Sequence, residues 1–334
     1  MLSRVADSIF WMSRYIERAE NVARFVDVNL NMTLDADVGA AEQWEPLVNT
    51  TGDHKDFAER YGQATRESVI QFLAFDTENP SSIASCLRFA RENARSVRES
   101  ITAAMWEQVN TYYLMVSERA RNHRPSEPLL DFFTEVRQAS QLFVGITDST
   151  MSHGEGWHFS RMGRMIERAD KTSRILDVKY YVLLPNVADV GGPIDDIQWS
   201  AVLRSASAFE MYRQKFGRIS PDSVVEFLVL DREFPRAVHH CMVRAEESLH
   251  AITGCPAGTF RNPAEQRLGQ LTSRLSYAHI NEIIRRGLHE FVDDLQTRLN
   301  QVDEAIFDTF FALRPVGKTA GSRLTKWPES SSIA

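Results

Sequence analysis

Glutamate and arginine recur in this chain at helical spacing, twice and in the same order. Arg14, Glu17, Arg18, Arg24 and Asp27 are matched 150 residues later by Arg164, Glu167, Arg168, Arg174 and Asp177, and nine of the seventeen residues in segments 12–28 and 162–178 are identical. These residue types support three chemistries. Glu17 or Glu167 could act as a general base on a ligand held by Arg14, Arg18, Arg164 and Arg168. The arginines could clamp an anion through their forked N–H donors. The two helices could instead exchange buried Arg–carboxylate bonds that hold them in register. Spacing alone also offers Arg14–Glu17, Glu20–Arg24 and Arg24–Asp27 pairs within one helix. Exposed pairs of that kind contribute only about 0.3–0.5 kcal/mol each, too little to explain why both copies keep their charges. The pattern locates a site and leaves its chemistry open.

The elements that must carry these residues are helices. Around the first motif Trp11, Met12, Tyr15, Ile16, Ala19, Val22, Ala23, Val26 and Leu30 fall in one arc at 100° per residue, with the charges opposite. The same periodicity predicts helices over 3–33, 41–62, 66–75, 80–110, 111–122, 127–146, 156–183, 196–216, 221–230, 235–252 and 263–312, the last broken at Gly287. Strand signals are nearly absent. Asn79-Pro80-Ser81 and Ser220-Pro221-Asp222 read as helix starts. Beyond the motif the echo continues at an offset of 155, pairing Trp44, Gly62, Phe72, Asp76, Pro80 and Cys86 with Trp199, Gly217, Phe227, Asp231, Pro235 and Cys241. The expected architecture is all-α, a duplicated helical bundle with halves of about 1–150 and 151–313 packed about a pseudo-twofold. Residues 185–196 read as a loop, and 314–334 as a disordered tail.

A second feature is not repeated. Arg88, Arg91, Arg95 and Arg98 form a stripe within reach of Glu92 and Glu99, whereas the later copy has Val243, Glu246, His250 and Thr253. The stripe reads as a self-compensated solvated face or as an anion or docking surface. His153, Glu155 and His158 lack an adjacent third strong ligand, so no metal is expected, and no cofactor motif or nucleophile signature is present. Cys86, Cys241 and Cys255 form no CxxC cluster and read as buried small hydrophobes.

Composition narrows the classes of partner. With 38 basic and 45 acidic residues the net charge is −7, which argues against nucleic acid and anionic membranes as general partners. No run approaches the roughly 18 apolar residues of a membrane helix, and the start lacks a signal-peptide pattern, so a cytoplasmic protein is expected.

Many separated motifs, in order, carry a resemblance to a known family. Ser3-Arg4-Val5-Ala6, residues 14–21 (RYIERAEN), Asn79-Pro80-Ser81-Ser82-Ile83, residues 90–95 (ARENAR), Met105-Trp106-Glu107, Asp148-Ser149-Thr150-Met151, Gly156-Trp157, residues 163–170 (GRMIERAD) and Leu183-Leu184-Pro185 together resemble the bacterial alpha-E family. The likeness spans about residues 1–313. It implies an all-helical companion of circularly permuted ATP-grasp proteins, encoded near transglutaminase-like peptidases and acting in peptide synthesis or tagging. On that reading the chain binds an anionic peptide-like or phosphorylated intermediate. The alternatives are a stand-alone enzyme using Glu17 and Glu167 as acid and base, or a scaffold. The motif implies site roles for Arg14, Glu17, Arg18, Arg91, Asn93, Arg95, Glu107, Asp148, Glu155, Arg164, Glu167, Arg168 and Asp170. One departure stands out: His153 and Gly154 follow Ser152 where the family has Arg and Asp, which weakens any ligand contact there.

Overall fold

The computed structural model describes residues 1–34, 44–123, 129–181 and 192–312. The chain is all-α, with no strand among these residues. Two long helices, α1 (Ser3–Leu34) and α8 (Glu155–Tyr181), lie side by side and carry the repeated motif. They run in the same direction, since the Met1 amine meets Glu155, Phe10 meets Gly163 and Arg18 meets Glu167. Small residues permit their close approach. Ser13 and Ser160 share a hydrogen bond of 2.7 Å, and a Cβ on Gly163 would fall 2.6 Å from the Phe10 carbonyl oxygen.

Each long helix has its own escort. α1 packs against α5 (Ile83–Ser96) and α7 (Leu130–Thr150), with α6 (Ala103–Asn122) joining those two on the outside. α8 packs against α12 (Val238–Thr253) and α15 (Leu288–Ile306), joined likewise by α13 (Pro263–Ser276). The shorter helices are α2 (Glu45–Thr51), α3 (His54–Tyr61), α4 (Arg66–Ile70), α9 (Pro193–Ser205), α10 (Phe209–Phe216), α11 (Pro221–Leu230) and α14 (Ile280–Arg286). π-helical turns extend α4 through Phe75 and α15 through Phe311. The apolar arcs of both long helices, including Met12, Ile16, Ala19, Met162, Ile166 and Ala169, enter one continuous core.

Several helix ends differ from the periodicity, each for a local reason. The helix expected over 41–62 breaks at Gly52 (φ +84°), and that over 196–216 breaks at Ser207 (φ +49°), positions related by the same offset of 155. The helix expected over 80–110 starts later, at Ile83, because Ser82 rather than Asn79 caps it; Asn79 instead accepts from the Ser81 N–H. It also stops after Ser96 and restarts where Thr102 accepts from the Met105 N–H. Pro193 opens α9, so residues 193–196 of the expected 185–196 loop are helical; residues 182–191 lie outside the described residues, as does the 314–334 tail. Cys86, Cys241 and Cys255 are buried and free, and burial pushes the first two thiols up to about 12.

Candidate functional site

The repeated charges meet between α1 and α8. Arg18 makes a forked pair with Glu167 (Nε–Oε1 2.7 Å, Nη2–Oε2 3.1 Å), and Arg168 makes the reciprocal pair with Glu17 (Nε–Oε1 2.9 Å, Nη2–Oε2 2.7 Å). Arg14 adds a bond to Glu167 at 2.9 Å and reaches Asp303 of α15 at 2.7 Å. Glu17 also accepts from Asn21 (3.0 Å) and from Arg236 (2.9 Å), a residue just before α12. Thus Arg14 turns to the other helix rather than to Glu17. Asp27 pairs with Arg137 of α7 at 2.8 Å, and Asp177 with His289 of α15. Of the pairs offered within the first motif, Glu20–Arg24 forms; its counterpart Asp170–Arg174 closes at 3.0 Å. Buried charges need strong bidentate partners, and for Glu17 and Glu167 the facing helix supplies them.

Electrostatics follow from this geometry. Burial pushes the Glu17 carboxyl up, but Arg168 and Arg236 overcome it and hold the group well below the usual carboxylate range. Burial likewise acts on Glu167 and is outweighed by Arg18, Lys171 and Arg14. At Asp170, Lys171 and Arg174 outweigh burial and leave the carboxyl at about 2. With both oxygens of Glu17 and Glu167 engaged and at most 1% of either residue exposed, proton transfer by them would first require breaking two forked pairs.

The two sequence-equivalent clusters differ in charge. Around Glu167 and Asp170 stand four cations, Arg14, Arg18, Lys171 and Arg174, with Asp303 and Asp53 as further carboxylates acting on them. That set balances. Around Glu17 and Glu20 stand Arg24, Arg164, Arg168 and Arg236. Asp148 adds a third carboxylate there; it is exposed and acts on Arg164 without bonding to it. Burial and the charge of Arg168 lower Arg164 to about 10, and its Nε is buried with no hydrogen-bond partner among the described residues. Burial and the charge of Arg236 lower Arg24 to about 10 as well. This second cluster opens into a cleft of about 300 Å³ whose walls include Glu20, Arg24, Arg168, Ser207, Pro235 and Arg236.

The remaining sequence-predicted residues lie elsewhere. Arg91 bonds Asn110 of α6 at 2.8 Å and lies over Tyr113, while Glu92 compensates both Arg91 and Arg95 on an exposed face. Asn93 donates to the Phe89 carbonyl, and Glu107 is exposed on α6. Asp148 and Glu155 are exposed at the α7–α8 junction, where Glu155 meets the Met1 amine at 2.6 Å. Arg14, Glu17, Arg18, Glu167, Arg168 and Asp170 converge with Arg164 buried beside them; Arg164 interacts with Glu17 through charge alone, and Arg91, Asn93, Arg95, Glu107, Asp148 and Glu155 do not join the bonded network. His153 bonds the Asp148 carbonyl and stacks on Trp157, and among the described residues no three His, Cys, Asp or Glu groups stand together as a metal site. Sequence reasoning missed Arg236, Ser207, Ser140 and Asp303. Arg236 follows the repeated Pro235, but its counterpart is Ser81, so repetition carried no signal for it.

Fold and site define an all-helical protein organised around a buried, interhelical Glu/Arg network. The chain belongs to the Alpha-E family, described as a predicted alpha-helical domain with a conserved ER motif, which it matches over residues 1–311. It is similar to the uncharacterised proteins Mb2597 of Mycobacterium bovis and Rv2567 of Mycobacterium tuberculosis, each 24% identical over 341 residues. The alignment covers 93% of this chain but only 37% of those relatives' length. No solved structure matches. No helix among the described residues is long and apolar enough to cross a membrane.

Proposed function

We propose that this chain is an accessory module of an ATP-grasp amide-ligase system that binds an anionic, peptide-like or phosphorylated intermediate at its Glu/Arg-rich cleft. The observation that supports this most is the division of labour in the charge network. The motif carboxylates are locked in forked pairs, while arginines outnumber carboxylates beside an open cleft. Such a site suits holding an oxyanion better than moving a proton. The length of the relatives agrees with a module that works joined to, or beside, other domains. The ATP-grasp partner, the neighbouring transglutaminase-like peptidase and a cytoplasmic setting come from the family resemblance.

Co-purification from the native host, with mass spectrometry of bound proteins and small molecules, tests the reading. An ATP-grasp protein should be recovered in salt-sensitive association, and its absence together with that of any bound anion would return the scaffold alternative to the front. If the exposed arginine face docks that partner, Arg91→Glu with Arg95→Glu should weaken the association in a salt-dependent way.

A further inference from the structure

The cleft beside Glu20 is built unlike its sequence-equivalent counterpart, and the differences converge on one ligand chemistry. Its three wall arginines are positioned by the lock itself. Arg24 donates to Glu20 and Ser207, Arg168 to Glu17 and the Pro235 carbonyl, and Arg236 to Glu17, Asn21 and Glu20. Among the described residues each spends three of the five N–H donors that a guanidinium carries. Ser140 meanwhile donates to the second oxygen of Glu20 at 2.9 Å, which fixes that carboxylate without adding charge.

Ser207 is the only non-glycine residue with positive φ among those described. A side chain in this left-handed region costs stability, and such outliers persist where the surrounding structure over-determines them. The equivalent position is Gly52, where an added Cβ would lie 3.6 Å from Arg174 Nη1. The chain thus places a hydroxyl at the mouth of one cluster and nothing at the other. The charge count differs in the same sense: three arginines of the cleft wall face Glu17 and Glu20, with buried Arg164 as a further cation and exposed Asp148 acting on it, against a balanced set around Glu167 and Asp170.

We propose that this cleft is a single phosphoryl-binding site, in which Arg24, Arg168 and Arg236 hold a dianionic phosphate group and Ser207 adds a hydroxyl contact. The bonded network carries one positive charge in excess, and the N–H donors that three convergent guanidinium groups have left suit the tetrahedral oxygens of a phosphoryl group. A carboxylate offers those donors two oxygens and one charge where a phosphoryl dianion offers three oxygens and two charges, and therefore binds more weakly. One chain takes one phosphoryl group, because the counterpart cluster has no charge to spare. This inference deepens the accessory reading by naming the group recognised.

Titration calorimetry of the full chain with inorganic phosphate, and separately with acetate, tests the site without any partner. The expected result is one saturable phosphate site per chain, weakened by salt, with acetate binding at least several-fold more weakly. Arg236→Ser should abolish binding, but it also unpairs buried carboxylates. Gln141→Glu is therefore the decisive variant, since Gln141 is an exposed wall residue outside the ion-pair lock. One added negative charge at the rim should weaken phosphate about tenfold with the melting temperature unchanged. Absence of saturable phosphate binding, equal affinity for acetate, or a Gln141→Glu variant that binds like the parent would each overturn the proposal. An ATP-grasp protein captured by a chain that ignores phosphate would sink this site while leaving the accessory module standing.

Discussion

Glu167 is the residue whose loss should be felt most, because three bonds from Arg14 and Arg18 end on it in a site sealed from water. Glu167→Gln keeps the shape but leaves two guanidinium groups buried and under-compensated. It should cost about 3–5 kcal/mol in denaturant unfolding, whereas Arg95→Ala on the exposed α5 face should cost under about 0.5 kcal/mol. A Glu167→Gln protein as stable as the parent would contradict the locking role. The same carboxylates set an acid limit. Glu17, Glu167 and Asp170 all have folded-state values depressed below the ordinary 4.5 or 3.8, so the unfolded chain binds protons first. Their stabilisation is complete above about pH 5, begins to fall as the pH passes below those ordinary values, and continues to fall toward about 2, where Asp170 titrates. Urea midpoints measured from pH 6 to pH 3 should therefore decline steadily below pH 5 and lose part of that decline in Glu167→Gln. At this scale the repeated arginines and glutamates were legible from the sequence because both copies kept them. Their partners were not, since nothing in the spacing says that Arg14 crosses to Glu167 instead of turning to Glu17.

The pairing of α1 with α8 depends on backbone closeness as much as on charge. Gly163→Ala places a methyl group 2.6 Å from the Phe10 carbonyl oxygen, which the neighbouring backbone cannot yield without moving the register of both helices. It should destabilise by about 1–3 kcal/mol despite the better helix propensity of alanine. Gly145 in α7 is the matched control, because a Cβ there meets nothing within 4 Å among the described residues. Gly145→Ala should stabilise by up to about 1 kcal/mol. Thermal unfolding of the two variants reads the contrast directly, and equal shifts would show that the α1–α8 crossing tolerates separation. The existence of the long helices was legible in the 3.6-residue period of their apolar arcs. Their interruptions were harder to see: Gly52 sits in a polar stretch, and Ser207 is a residue type that rarely adopts positive φ. The restart at Thr102 was missed because threonine is as ordinary within a helix as at its cap.

Across the whole molecule, each buried pair of motif carboxylates receives an extra cation, but from a different place. Glu167 and Asp170 take it from Lys171, at 3.5 and 2.9 Å, one residue along the same helix from Asp170. Glu17 and Glu20 take it from Arg236, at 2.9 and 2.6 Å, delivered by the segment before α12. The positions trade roles: Asn21 stands where the other motif has Lys171, and Ser81 stands where the other segment has Arg236. This exchange predicts a rescue. Arg236→Ser alone strips Glu20 and Glu17 of the guanidinium they share, at a cost of about 3–5 kcal/mol. Asn21→Lys alone adds a buried positive charge beside Arg236 and should also destabilise. Combined, the two substitutions rebuild around Glu17 and Glu20 the arrangement that Lys171 provides around Glu167 and Asp170. The double variant should therefore be more stable than Arg236→Ser alone, with a favourable coupling of at least about 1 kcal/mol in a double-mutant cycle. Additive costs would mean that the two clusters resemble each other in sequence without sharing an electrostatic design. Phosphate binding should not return with stability, because the rescued cluster keeps its charge balance but loses the Arg236 fork at the cleft wall.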